Sequence, residues 1–262
     1  MVRKSIKELT KQKNIKKIIV LTAYTSSISK IIDEYVDIIL VGDSLGTAIY
    51  GMNNTQGVSL DMMMNHGRAV VKESKNAFTI VDMPYNTYKN KKEALINAKK
   101  ILKFTKCQSI KLETSYKTIE IVKHLVKNNI KVISHIGVTP QNYKNFNKIR
   151  SVGKSDKEKL NIVNLAILLE KAGTSMIVLE CMKEKLATEI TKKIKIPTIG
   201  IGASVKCDGQ VLVINDILNL SNGSIKPKFV KEYVDLKSSI KKAVQNYILE
   251  VLNKKFPKNK NT

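Results

Sequence analysis

Asp43, Asp82, Glu113 and Glu180 each stand where a short apolar run stops: after Asp37-Ile-Ile-Leu-Val-Gly, Ala77-Phe-Thr-Ile-Val, Ser109-Ile-Lys-Leu and Ser175-Met-Ile-Val-Leu. Runs of this kind read as buried strands. In a barrel of parallel strands, the C-terminal strand ends converge on the face where active sites are built. Carboxylates gathered there repel one another unless positive charge lies among them, and a divalent cation is the simplest source of it. All-oxygen donors suit Mg²⁺ or Mn²⁺, whereas zinc calls for His or Cys. Lys111 precedes Glu113 by two residues, which puts both on one face of their strand. There a lysine pairs with a carboxylate or receives an anion. Taken singly, Asp43 within Val41-Gly-Asp-Ser-Leu-Gly46 and Asp82 before Met83-Pro84 are also ordinary turn residues. It is their shared position at strand ends that argues for chemistry. His135 ends a fifth apolar run beside them.

An oxygen-ligated cation, an anion-receiving lysine and a spare glutamate together suit metal-assisted enolisation of a 2-oxo acid. The spare carboxylate is the base. These residues leave the electrophile open.

The elements that must position these groups follow from hydrophobic periodicity. Strands are predicted at 17–23, 37–43, 77–82, 108–113, 131–135, 175–180, 196–201 and 210–214. Helical patterns fall at 26–35, 60–72, 91–104, 117–127, 156–171, 183–193 and 228–255. Ala172-Gly173 supplies a C-cap signal after the fifth of these helices. Continuous apolar strands alternating with helices predict an α/β fold, a (β/α)8 TIM barrel. One catalytic domain over 1–256 is expected, with a flexible basic tail at 257–262. A doubly wound sheet is the competing topology, but no GxGxxG follows the first strand.

The net charge of +24 raises the question of nucleic-acid binding. Only Arg3, Arg68 and Arg150 are arginines, and the lysines are scattered along polar helix faces. Bidentate recognition of phosphates and bases favours Arg, so solvated helix faces are expected instead. Cys107, Cys181 and Cys207 form no CxxC pair and suggest neither a disulfide framework nor a zinc site. No apolar run is long enough for a membrane helix or a secretory signal, so a cytoplasmic protein with no membrane partner is expected. His66, His124 and the run Met62-Met-Met64 fall in helical segments and read as packing residues. Gly200 and Gly202 read as tight-turn glycines.

Eight segments, in order, resemble the ketopantoate hydroxymethyltransferase family. They are Leu21-Thr-Ala-Tyr24, Val41-Gly-Asp-Ser-Leu-Gly46, Val81-Asp-Met-Pro-Tyr85, Ile110-Lys-Leu-Glu113, His135-Ile-Gly-Val-Thr-Pro-Gln141, Val178-Leu-Glu-Cys181, Pro197-Thr-Ile-Gly-Ile-Gly-Ala203 and Cys207-Asp-Gly-Gln-Val211. The resemblance implies transfer of a one-carbon unit from 5,10-methylenetetrahydrofolate to 3-methyl-2-oxobutanoate, giving 2-dehydropantoate for pantothenate and coenzyme A synthesis. It implies Mg²⁺ held by Asp43, Asp82 and Glu113, directly or through water. It also implies substrate contacts from Asp43, Ser44, Asp82 and Lys111, and Glu180 as the base at C3. His135 is expected to orient substrate or support the folate, with a satisfied core histidine as the other reading, and a homo-oligomer, a decamer in this family, is implied. Ser204 and the stretch 142–154 depart from the family's pattern, so folate affinity or closure is where a difference is expected. The other readings are a related Mg²⁺-dependent oxo-acid lyase or mutase barrel, and a basic nucleic-acid-binding protein without catalysis. The first of these lacks a Lys-Lys-Cys-Gly-His-type loop here.

Overall fold

The structure, a computed structural model, describes residues 3–221 and 227–258; the last four positions of the expected tail lie outside the described residues. Eight strands close a barrel in sequence order: β1 (Ile18–Thr22), β2 (Ile38–Val41), β3 (Phe78–Asp82), β4 (Ser109–Glu113), β5 (Val132–Gly137), β6 (Met176–Glu180), β7 (Thr198–Ile201) and β8 (Gly209–Leu212). All eight pairings are parallel, including β1 with β8. The helices are α1 (Ile6–Lys11), α2 (Ser26–Ile32), α3 (Leu45–Ala48), α4 (Leu60–Glu73), α5 (Lys91–Thr105), α6 (Ile119–Lys127), α7 (Asp156–Lys171), α8 (Glu184–Lys193), α9 (Ile214–Ile217) and α10 (Leu236–Leu252).

Two apolar shells hold the fold. Period-2 alternation sends one set of strand side chains inward, and Ile18, Val20, Ile38, Leu40, Phe78, Ile80, Ile133, Met176, Val178 and Ile199 fill the barrel interior. The other set meets the helices: Ile39, Val41, Val81, Ile110, Leu112, Ile177 and Leu179 pack with residues such as Met63, Val70, Ile101, Leu125 and Leu169. Of the three consecutive methionines, only Met63 is wholly buried. Helix starts follow capping chemistry: Ser59, Asn90 and Ser155 each accept a hydrogen bond from a first-turn backbone N–H.

Three differences from the sequence reading have physical causes. First, α1 was not expected. It carries a Ser5–Glu8 capping box and one fully buried residue, Leu9, which closes the N-terminal mouth of the barrel. Replacing Leu9 by Ala should cost about 2–5 kcal/mol, as for other core truncations. Second, the last helix begins at Leu236, capped by Asp235, and not near residue 228. The apolar residues before it pack elsewhere: the Phe229 ring lies so close to Gly202 that a Cβ there would come within 2.3 Å of it. Gly202 also has φ +57, so the tight-turn reading of this glycine holds. Third, the four-residue helices α3 and α9 were not expected, since a single turn is too short to show a helical period. α10 buries none of its residues, and Ile240, Val244, Tyr247, Ile248 and Val251 are exposed along it.

Candidate active site

Asp82, Lys111, Glu113, His135 and Glu180 lie at the C-terminal ends of four neighbouring strands, β3 to β6. Register places Asp82 opposite Lys111 and Glu113 opposite His135. Asp43 follows the end of β2, and its backbone N–H donates to Asp82 Oδ2 at 3.1 Å. Lys111 Nζ donates to the same oxygen at 2.7 Å. Asp43, Asp82, Lys111, Glu113 and His135 are all buried, and Glu180 is the more open carboxylate, its side chain 19% exposed. Beneath Lys111 the interior is apolar. The lysine and nine aliphatic or thioether side chains surround a void of about 10 Å³, too poor in polar partners to hold a water.

Backbone packing fixes the Glu180 end. Gly137 has φ +100, and a Cβ there would lie 2.3 Å from the Glu180 carbonyl oxygen. Without that Cβ, the Val138 N–H reaches this carbonyl at 2.9 Å. Cys181 turns the chain through φ +49 directly after the glutamate, a conformation uncommon outside glycine. Its half-buried thiol is shifted upward by burial and by the Glu180 charge. His135 Nε2 stands 3.1 Å from Glu180 Oε2. The approach is off-line for a hydrogen bond, and neither imidazole nitrogen has another partner. Thr114 ties the adjacent strand ends by donating from N and Oγ1 to the His135 carbonyl.

The electrostatics show too little positive charge for the carboxylates present. Burial raises Asp82 to about 7, with Asp43 pushing it further up and Lys111 pulling it down. Burial and then Asp43 raise Glu113 well above the usual carboxylate range. Burial alone would lower the Lys111 ammonium, yet Asp82, Asp43 and Glu113 outweigh it and leave it raised. Both partners of the Asp82–Lys111 pair therefore shift upward, Asp82 chiefly through burial and Lys111 through the three carboxylates around it.

Asp82 Oδ1 and Glu113 Oε2 are buried without a hydrogen-bond partner. Among the described residues no three His, Cys, Asp or Glu side chains form a ready-made ligand cluster. Open, buried oxygens in an all-carboxylate set still fit a hard divalent cation reached partly through water. Ser44 accompanies this group at the mouth, its Oγ 2.7 Å from the hydroxyl of buried Tyr24.

Three residues went unseen as site members: Gln141, Tyr88 and Tyr24. Gln141 Nε2 donates to Asp43 Oδ2 at 2.7 Å, and its backbone N–H donates to Glu113 Oε1 at 3.0 Å. The signal available was a polar residue directly after Thr139-Pro140, in the segment that follows His135. His66 also does more than pack: its Nδ1–H donates to the Tyr24 carbonyl over 2.6 Å, and its Nε2 meets the Tyr50 hydroxyl at 3.0 Å.

The arginines are spent internally. Arg3 donates to the Val71 and Ser74 carbonyls, Arg68 lies over the Phe104 ring at 5.2 Å, and Arg150 donates to the Asn147 and Ile149 carbonyls. No helix among the described residues is long and apolar enough to cross a membrane.

A closed parallel barrel with carboxylates and a lysine gathered at its strand C-termini is the architecture of a (β/α)8 barrel enzyme. The chain belongs to the ketopantoate hydroxymethyltransferase family, whose model matches residues 3–259. A 3-methyl-2-oxobutanoate hydroxymethyltransferase of Pelagibacter ubique is 49% identical over 259 residues, covering 99% of each chain. Similarly named proteins of Anaplasma marginale and Bartonella tribocorum are 43% and 42% identical, over 97% and 99% of this chain and 91% and 97% of theirs. Among solved structures, a phosphonopyruvate hydrolase superposes with TM-score 0.62 at 11% identity, covering 81% of this chain and 80% of the other. A 2,3-dimethylmalate lyase of the PEP mutase/isocitrate lyase superfamily superposes with TM-score 0.59 at 10% identity, covering 97% and 89%. At such identities the likeness concerns the fold.

Proposed function

We propose that this chain transfers a hydroxymethyl group from 5,10-methylenetetrahydrofolate to 3-methyl-2-oxobutanoate, giving 2-dehydropantoate. The observation that carries the reading is the match to hydroxymethyltransferases along the whole chain. The methylene carbon bonds to C3 of the oxo acid, water supplies the hydroxyl, and tetrahydrofolate leaves. The lyase or mutase reading has only a likeness of fold, and the nucleic-acid reading has no basic face built from arginine.

Asp43, Asp82 and Glu113 would hold Mg²⁺, directly or through water, and the unpartnered Asp82 Oδ1 and Glu113 Oε2 support this. When bound, the ion supplies Lewis-acid stabilisation of the negative charge that develops at the keto oxygen as C3 is deprotonated. Lys111, held by Asp82, meets the substrate carboxylate, and Ser44 contacts the oxo acid beside it. Glu180 takes the C3 proton. Its greater exposure suits a base that exchanges protons, and His135 lies beside it at 3.1 Å. The apolar interior below Lys111 keeps water from that side of the reacting carbons.

Mg²⁺ and folate use, a cytoplasmic setting, a domain spanning 1–256 and a decameric homo-oligomer complete this reading. Support for assembly comes from α10, where Ile240, Val244, Tyr247, Ile248 and Val251 recur at helical spacing and stay exposed. A second copy of the chain is the occupant proposed for that face. Light scattering should show an oligomer that Val244→Asp splits.

One assay tests the core reading: 2-dehydropantoate formation from 3-methyl-2-oxobutanoate and 5,10-methylenetetrahydrofolate, with and without Mg²⁺. Formation that depends on both co-substrate and metal is expected. Absence of product under all conditions would overturn the reading.

A further inference from the structure

Gln141 sits in a single 3₁₀ turn, Pro140–Asn142, between β5 and α7 and is 2% exposed, unusual for a glutamine. Every polar group it owns is engaged, each with a different partner. The backbone N–H donates to Glu113 Oε1 and the backbone carbonyl accepts from Gln56 Nε2 at 2.8 Å. The side-chain nitrogen spends its two hydrogens on Asp43 Oδ2 at 2.7 Å and the Met83 carbonyl at 3.1 Å. The side-chain oxygen accepts from the Tyr88 hydroxyl.

Two of these contacts decide the orientation of the amide. The Asp43 carboxylate and the Met83 carbonyl can only accept, so the amide nitrogen must face them. The amide oxygen therefore faces Tyr88, whose hydroxyl donates to it. Gln141 is thus a neutral, two-pronged donor set between two mutually repelling carboxylates, one N–H for each. It occupies one oxygen of Asp43 and one of Glu113, leaving Glu113 Oε2 open. Its loop is also stitched to the loop after α3: besides the Gln56 bond, Asn54 Nδ2 donates to the Lys144 carbonyl at 3.0 Å.

We infer that Gln141 is a positioning residue that fixes the rotamers of Asp43 and Glu113 and ties them to the two loops, 49–59 and 138–154, that meet over the site. This rests on the proposed function for the identity of the carboxylates' ligand, but not for the placement itself. Outer partners of metal-binding carboxylates tune affinity by about 10–100-fold, and that is the scale expected here.

The test compares wild type with Gln141→Met, which keeps the length and loses the amide, and with Tyr88→Phe, which leaves the amide oxygen without its donor. The first readout needs no ligand: amide hydrogen exchange should speed up in both loop segments in Gln141→Met, with the remaining barrel unchanged. The second is calorimetric titration with Mg²⁺ alone, where the dissociation constant should rise by about 10-fold or more, and by less in Tyr88→Phe. Unchanged exchange in both loops would overturn the inference, whether or not the wild type binds Mg²⁺. A lowered melting temperature with wild-type Mg²⁺ affinity would also overturn it, leaving Gln141 a fold-stabilising residue only. Failure of the wild type itself to bind Mg²⁺ or make 2-dehydropantoate would count against the proposed function, while the exchange data still decide the role of Gln141.

Discussion

The same residue type meets opposite treatment at the two ends of the barrel. Away from the site, Asp33 at the end of α2 accepts from Ser74 Oγ, Asn76 Nδ2 and the backbone N–H groups of Lys75, Asn76 and Ala77. Burial pushes that carboxyl up, but these donors outweigh it and hold it below the ordinary value. Asp208, at the start of β8, is saturated in the same way by Lys13 Nζ at 2.8 Å and by Thr198 N and Oγ1. At the strand C-termini, Asp82 and Glu113 each keep one buried oxygen without a partner, and both are shifted upward. A buried carboxylate that serves the fold is satisfied by the fold. One left open is tolerated at a cost in stability of the kind functional sites carry.

This contrast can be broken experimentally, and the largest effect belongs to the base. Glu180→Gln should reduce exchange of the C3 proton of 3-methyl-2-oxobutanoate in D₂O by about 10²–10⁴-fold, read by NMR without folate. Exchange at the wild-type rate would remove Glu180 from that role. Next comes a crossed pattern between the two kinds of carboxylate. Asp33→Ala should strand several donors and cost about 2 kcal/mol or more in denaturant unfolding, with Mg²⁺ affinity unchanged. Glu113→Gln should abolish Mg²⁺ binding by calorimetry and leave unfolding in EDTA as stable as wild type or more so. Equal behaviour of the two variants would dissolve the distinction.

A smaller effect is expected with pH. Asp82, whose folded value is raised from 3.8 to about 7, binds more protons folded than unfolded between those values. Metal-free stability should therefore fall as pH rises through that window. Asp33, shifted the other way, contributes stability that is lost only as pH drops below its ordinary value. Thermal melts in EDTA against pH would read both, and added Mg²⁺ should stabilise more at pH 8 than at pH 5. The smallest effect is at the surface. Glu120, paired with Lys91 and Lys123 across exposed helix faces, should be replaceable by Gln with a melting shift within about 1 °C.

The barrel itself was legible because each strand is a continuous apolar run with a sharp polar end, and the observed strands fall within one or two residues of those runs, β5 alone extending two residues past its own. The carboxylates were legible for the same reason, since they mark those ends, and Lys111 because it stands two residues before Glu113 on the same strand face. α1 was not, because a six-residue helix with one buried leucine has too little periodicity to show. The start of α10 was misplaced because Phe229 and Val230 fit a helical pattern, although Phe229 is used against Gly202. Gln141 was hidden for a different reason: its importance lies in five partners from five other places in the chain, and local sequence carries no trace of such long-range satisfaction. The mutual position of His135 and Glu180 depends on a close approach at Gly137 that only the folded barrel reveals.

The dry interior beneath Lys111 has an electrical consequence. With aliphatic side chains below it and Leu9 stopping the far end, the barrel acts as an insulating floor. Field lines from the ammonium and its carboxylates cannot spread downward and must leave through the open mouth. Once a divalent cation offset the surplus carboxylates, an anionic oxo acid approaching from solvent would therefore be drawn along that field before making any contact. Filling that floor with a single polar residue, far from any reacting atom, would leak the field and blunt this steering.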